Sequence, residues 1–128
     1  MNHQINFYKR CKKSCISIEK ISENKIKNHL IEFTKYILSD ENLLSLSKSA
    51  LAETGFGNVN DKIIKKKLKT SGLLEELINL NFKDKMSASN KIYKPIGVIV
   101  GITPSTNPVA TSINYFMNSL RWKNSLII

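Results

Sequence analysis

Apolar side chains recur every three to five residues over the first two thirds of the chain, close up into one unbroken run, and then return to helical spacing. Residues 1–15 are polar and basic and predict a frayed first helix. From Ile16 to about Leu38 the apolar positions are Ile18, Ile21, Ile26, Leu30, Phe33, Ile37 and Leu38, which predicts an amphipathic helix interrupted near Ser22-Glu23-Asn24. Ser39-Asp40 caps the next helix, Glu41 to about Glu53, with Leu43, Leu44, Leu46 and Leu51 inside and Gly55 as its stop. Asn58 or Asn60 caps a further helix, Asp61 to about Leu80, whose stripe is Ile63, Ile64, Leu68, Leu74, Leu77 and Ile78. Gly72 sits inside it, costs ~1 kcal/mol relative to Ala, and marks a place for a kink or a close contact. Asn81 to Asn90 has no period and reads as a loop or short hairpin, and Lys91 to Pro95 as an extended lead-in.

The unbroken run, Ile96 to Ile102, is rich in β-branched residues and far short of the ~20 residues that cross a bilayer. It predicts a strand buried on both faces, as in parallel sheets. The run breaks at Thr103-Pro104-Ser105-Thr106, and Asn107-Pro108 restarts the chain as a helix, with Asn107 suited to the N-cap and Pro108 to the first turn. Val109, Ile113, Phe116, Met117 and Leu120 carry helical spacing to about Trp122; Lys123-Asn124 turn, and Ser125 to Ile128 begins a second strand. Strand, helix and strand form a βαβ unit with a right-handed crossover, so the fold class is α/β. One strand pair is too little for a parallel sheet, which needs more strands and helices on both faces. The expectation is one partial domain over 1–128, helical in 1–80, with 91–128 beginning the sheet of a larger α/β protein. Open α/β sheets hold ligands at the carboxyl ends of their strands, which makes the turn after Ile102 the candidate site.

Composition changes this picture little. At 128 residues and 41% apolar, the chain can form one modest core. Twenty Lys and Arg against ten Asp and Glu give a net charge of +10, which invites anionic partners such as nucleic acid, acidic membranes or phosphorylated ligands. Lys, Ile, Asn and Ser are abundant throughout, so a proteome-wide bias would produce the same charge. The densest basic stretch, Lys62, Lys65, Lys66, Lys67 and Lys69, is either a phosphate-binding face or the solvated flank of a helix. Lys9, Arg10, Lys12 and Lys13 beside Phe7 and Tyr8 pose the same choice between RNA contact and a frayed helix. Cys11 and Cys15 share a helix face, but two thiols make no zinc site. No apolar signal segment precedes them, so they read as reduced thiols of a cytoplasmic protein. His29 has no second ligand at a useful spacing and reads as a surface residue. No metal is expected.

Three ordered segments then carry a resemblance. Glu53-Thr54-Gly55-Phe56-Gly57-Asn58-Val59-Asn60-Asp61-Lys62-Ile63, Lys94-Pro95-Ile96-Gly97-Val98-Ile99, and Thr103-Pro104-Ser105-Thr106-Asn107-Pro108 resemble the E-[ST]-G-x-G-x-V-x-D-K segment, the [EK]-P-[IV]-G-V-[IV] strand and the P-[ST]-T-N-P turn of the CoA-acylating aldehyde dehydrogenases. The closing Arg121-Trp122-Lys123-Asn124-Ser125-Leu126-Ile127-Ile128 is similar to that family's L-K-x-R-N-x-[IV]-[IV] continuation, and the likeness runs from roughly residue 16 to the end.

The resemblance implies the first βαβ portion of a Rossmann-type NAD(P)-binding domain, and an oxidoreductase that converts an aldehyde plus CoA to acyl-CoA with NAD or NADP, or the reverse. It implies a homo-oligomer for the complete enzyme. It gives Asn107 the role of oxyanion donor, and sets Ile102, Thr103, Pro104, Ser105, Thr106 and Asn107 along the nicotinamide end of the cofactor cleft. The family's nucleophilic cysteine lies downstream of this turn, so neither Cys11 nor Cys15 takes that role, and the chain alone is expected not to turn over aldehyde. Two other readings stand beside it: a small basic protein binding nucleic acid or another polyanion through Lys62 to Lys69, and an interaction module pairing its open sheet edge.

Overall fold

The structure, a computed structural model, describes residues 2–79 and 94–128, with side chains from residue 5 onward. Four helices come first: α1 (Asn2–Glu19), α2 (Glu23–Ile37), α3 (Asp40–Thr54) and α4 (Val59–Asn79). A parallel unit follows, β1 (Val98–Val100), α5 (Pro108–Arg121) and β2 (Ser125–Ile127). The loop or hairpin expected over 81–90, and residues 91–93 of the lead-in, lie outside the described residues.

The helix boundaries follow local chemistry. Ser22 accepts from the Lys25 amide and Ser39 from the Asn42 amide, each at 3.4 Å, so the interruption expected near Ser22 divides α1 from α2. Gly55 ends α3 in the left-handed conformation, at φ 68°, where glycine meets no Cβ penalty. Asn58, not Asn60, caps α4: its Oδ1 accepts from the Asp61 amide at 2.9 Å while its Nδ2 donates to the Asp61 carboxylate at 2.6 Å. That cap starts α4 at Val59, two residues before the sequence reading. Gly72 marks neither a kink nor a contact, since α4 runs unbroken and a Cβ there would meet nothing within 4 Å.

The core forms where α2, α4 and α5 meet. Ile26, Leu30 and Ile37 of α2 close on Leu77 of α4 and on Ile113 and Met117 of α5. Phe33 and Phe116 close one side with ring centroids 4.5 Å apart at a tilt of 49°. Apolar stripes at helical spacing are therefore what hold these helices together, each buried side chain contributing about 1.5–3 kcal/mol.

β1 and β2 pair in parallel, with Val98 opposite Ser125, Ile99 opposite Leu126 and Val100 opposite Ile127. The Ser125 amide donates to the Gly97 carbonyl and the Gly101 amide to the Ile127 carbonyl, at 2.9 and 2.8 Å. Gly97, at φ 114°, turns its own amide onto Asn124 Oδ1 at 2.8 Å and so anchors the strand entry. The expected strand from Ile96 to Ile102, buried on both faces, is corrected on both counts. Its ladder is three residues long, and Ile96, Val100 and Ile102 are 85%, 68% and 84% exposed. The physical reason is that two strands make up the described sheet, less than the multi-stranded, doubly covered sheet in which a strand is buried on both faces. No helix among the described residues is long and apolar enough to cross a membrane.

Candidate functional site

The candidate turn leaves β1 at its carboxyl end and delivers the chain to the first turn of α5. Gly101 allows a close approach there: the Tyr115 ring of α5 lies so near that a Cβ on Gly101 would sit 2.6 Å from Cδ2. The same tyrosine donates its hydroxyl to the Ile102 carbonyl at 3.2 Å, pinning the start of the turn to the helix it leads into. Pro104, Ser105 and Thr106 are exposed and Thr103 is half-buried.

Asn107 is half-buried at the N-cap position of α5, with Pro108 in the first turn and its own carbonyl accepting from the Thr111 amide at 3.1 Å. Its side chain makes no capping hydrogen bond, and the expectation that it would is corrected. With φ −144° and ψ 56°, the backbone turns the amide away from the helix amides it would otherwise accept from. Its Nδ2 lies 3.5 Å from Thr106 Oγ1, too long a contact to hold it firmly. An asparagine at a helix start that does not cap leaves its amide donor aimed elsewhere.

Where it lies is informative. Asn107 borders a cavity of about 230 Å³ between α4 and α5, whose walls include Lys69, Thr70, Leu73, Thr111 and Asn114. It also borders one of about 220 Å³ beside Gly57, Asp61, Lys62, Lys65 and Thr106. Lys66 reaches the same neighbourhood from behind, in a crevice of about 10 Å³ that it shares with Asn107 and Pro108. Of the six turn residues expected at a cofactor cleft, Pro104, Thr106 and Asn107 border these spaces, whereas Ile102, Thr103 and Ser105 border none of the three. The largest cavity among those described, about 420 Å³, lies beside Ile96, Ile99 and Trp122 and shares no lining residue with the spaces that Asn107 borders.

The lysine run is not a single solvated face. Lys66 is 3% exposed and donates to Ser47 Oγ, itself fully buried, at 2.9 Å. Burial, with the charge of Lys62 nearby, pulls the Lys66 ammonium below the usual lysine range. Lys67 pairs with Asp40 at 3.5 Å, while Lys62, Lys65 and Lys69 point to the cavities around Asn107. Sequence reasoning singled out Lys69 within the basic run without joining it to Asn107, and missed Thr111 and Asn114 as site residues. Their signal was present: Asn107, Thr111 and Asn114 fall at i, i+4 and i+7, a polar stripe on one face of α5. Cys11 and Cys15 are free thiols on α1, Cys15 buried, and neither borders a space that Asn107 borders. His29 is half exposed, 3.6 Å from Glu32. Among the described residues no group of three His, Cys, Asp or Glu could hold a metal ion.

Against known proteins, no family model matches the chain. It is 34% identical over 128 aligned positions to a sulfoacetaldehyde dehydrogenase of an Acholeplasma species, covering 96% of this chain and 26% of that protein. It is 43% identical over 88 positions to the sulfoacetaldehyde dehydrogenase (acylating) of Cupriavidus necator, covering 65% of this chain and 18% of that one. Its fold matches the crystal structure of an acetylating aldehyde dehydrogenase from Geobacillus thermoglucosidasius with a TM-score of 0.82 at 24% identity, covering 98% of this chain and 28% of that one. The chain thus spans between 18% and 28% of the length of these proteins.

Proposed function

The chain is homologous to the N-terminal part of the CoA-acylating aldehyde dehydrogenases, and on that premise we propose that it supplies the oxyanion-stabilising turn of such an enzyme. In the reaction a cysteine thiolate adds to the aldehyde carbon, and the carbonyl oxygen takes up the displaced electron pair as an oxyanion. The Nδ2–H of Asn107 is the donor that meets this charge; one donor of this kind is commonly worth ~3–4 kcal/mol of transition-state stabilisation. NAD or NADP, when bound, accepts the hydride that leaves the former aldehyde carbon. The resulting thioester passes its acyl group to the thiol of CoA.

The observation that carries this reading is the uncapped amide of Asn107, free of the helix start and bordering two cavities of small-ligand size. Ile102 to Asn107, at the carboxyl end of a parallel strand, occupy the place where such sheets receive a nucleotide, and their exposed polar atoms suit its nicotinamide end. Cys11 and Cys15 lie on α1, so the thiolate comes from another part of the complete enzyme, and the chain alone is inactive. We assign the complete enzyme to the cytoplasm, as a homo-oligomer, with residues 1–128 as one partial domain.

The test is a chimera in which this chain replaces the matching N-terminal part of the Cupriavidus necator enzyme. Reduction of NAD+ that requires both aldehyde and CoA is the expected result, with Asn107→Ala lowering kcat by about 10²–10³-fold. An active chimera indifferent to Asn107→Ala would overturn the assignment.

A further inference from the structure

Lys66 is a buried cation whose needs are only partly met. Its side chain is 3% exposed, and Ser47 Oγ, itself fully buried, accepts one of its N–H groups at 2.9 Å. A lysine ammonium carries three donors, and each one that burial leaves unpaired costs free energy. No carboxylate pairs with it among the described residues, and its charged neighbours are Lys62 and Lys65 of the same helix. A methionine would fill nearly the same volume without that penalty. Stability does not account for this side chain, and what it borders does.

Ala50 of α3, Lys66 of α4, and Asn107 and Pro108 at the start of α5 close on a crevice of about 10 Å³. That is room for about one water, the smallest volume that holds one. Lys62 and Lys65 border the crevice too, but Lys62 is half-buried, Lys65 is exposed, and both also face the larger space beside Asp61. Lys66 alone is fixed there by burial. Across from it stands Asn107, whose Oδ1 accepts no capping hydrogen bond from the first turn of α5. An acceptor not used by the helix and donors not used by Ser47 therefore meet at one water-sized space.

Resting on the oxyanion reading of Asn107, we propose that Lys66 is a positioning residue: through one water in this crevice its ammonium holds Oδ1 of Asn107 and aims the Nδ2–H donor outward. Ser47 steadies the ammonium from behind. The water accepts from Lys66 Nζ and donates to Oδ1, a bridge nearly as good as a direct hydrogen bond. Hydrogen bonds in series polarise one another, so the bridge draws electron density toward Oδ1 and leaves Nδ2–H a stronger donor. The positive charge behind the amide also favours the negative charge that forms in front of it. Truncating Asn107 leaves the water its ammonium, so the link itself adds little to the fold.

Two measurements test this. In the 128-residue chain, Lys66→Met with Ser47→Ala should move the side-chain amide signals of Asn107 in ¹H–¹⁵N spectra and leave those of Asn118 in place. Lys67→Met, which removes a surface pair with Asp40, should move neither. In the chimera described above, the same double variant should lower kcat at least about tenfold, as a misaligned donor does, with the KM for CoA and for NAD+ unchanged. A melting temperature no lower than the parent's separates that loss from unfolding. In an Asn107→Ala chimera the double variant should cost no further activity, because the donor it positions is gone. Parental kcat in the double variant, unmoved Asn107 signals, or an equal loss with and without Asn107 would overturn the proposal. An inactive chimera beside moved Asn107 signals upholds the Lys66 bridge and overturns the oxyanion reading. An active chimera that needs Asn107 but not Lys66 does the reverse.

Discussion

The Nε–H of Arg121 donates to the carbonyl oxygen of Leu77 at 2.8 Å, joining the last turn of α5 to the last turns of α4. Arg121 is 1% exposed, and the far side of its guanidinium pairs with Glu23 at the start of α2. One planar group thus satisfies a helix-end carbonyl and a carboxylate at the point where three helices converge, a geometry a lysine cannot reproduce. Arg121→Lys should cost ~2 kcal/mol and Arg121→Ala ~3 kcal/mol, less than a fully buried pair because Glu23 is half exposed. Urea unfolding measures both; losses under ~0.5 kcal/mol would show that the clamp holds nothing.

Lys66 is a different kind of buried cation, held by one hydroxyl and no carboxylate among the described residues. Its folded-state pKa lies below the 10.5 of an ordinary lysine, so the folded chain gives up this proton before the unfolded chain does. Between that lowered pKa and 10.5 the unfolded state binds more protons, and the contribution of this group to stability rises with pH. Below the window the full penalty of burying the charge is present. Replacing Lys66 and Ser47 together, as Lys66→Met with Ser47→Ala, removes the charge without stranding the hydroxyl. The double variant should be ~1–2 kcal/mol more stable than the parent at pH 7, with the advantage shrinking toward pH 10. A pH-independent difference in chemical denaturation would contradict this account.

The helices were legible because their stripes and caps are local: Ser22, Ser39 and Gly55 act within a few residues of themselves. The βαβ unit was legible for the same reason, from a β-branched run followed by Asn107-Pro108 and a helical period. What a strand buries is decided by neighbours far away in sequence or outside the described residues, so the exposure of Ile96, Val100 and Ile102 could not be read from their own pattern. The same limit applied to the lysines. Lys66 lies in the middle of a basic run, and only the packing of α3 on α4 brings Ser47 over it. The turn itself was recognisable as motif, while the cavity it borders depends on how α4 approaches α5.

Gly101 and Tyr115 should behave as a coupled pair. The ring leaves no room for a Cβ on Gly101, and its hydroxyl fixes Ile102. Gly101→Ala therefore has to displace the ring and lose that hydrogen bond, at about 1–3 kcal/mol. In a Tyr115→Ala background the same change should cost less than ~0.5 kcal/mol, because the obstruction is gone. Thermal melts of the four proteins make the cycle, and additive effects would mean the close approach is not what keeps glycine there.

Asn107 separates a cap from a catalytic donor by stability alone. A side-chain N-cap typically loses ~1 kcal/mol on conversion to alanine. Asn58 is such a cap, accepting from the Asp61 amide at 2.9 Å, and Asn58→Ala should show that loss in urea unfolding of the 128-residue chain. Asn107 occupies the corresponding position on α5 but makes no capping bond, so Asn107→Ala should change stability by less than ~0.3 kcal/mol. Its effect belongs in kcat of the chimera instead. A residue kept for the reaction is expected to be dispensable to the fold, and the two measurements must then split. If Asn107→Ala destabilises the chain as much as Asn58→Ala does, Oδ1 of Asn107 is capping α5 in solution, and the uncapped orientation of the side chain on which the donor assignment rests does not hold.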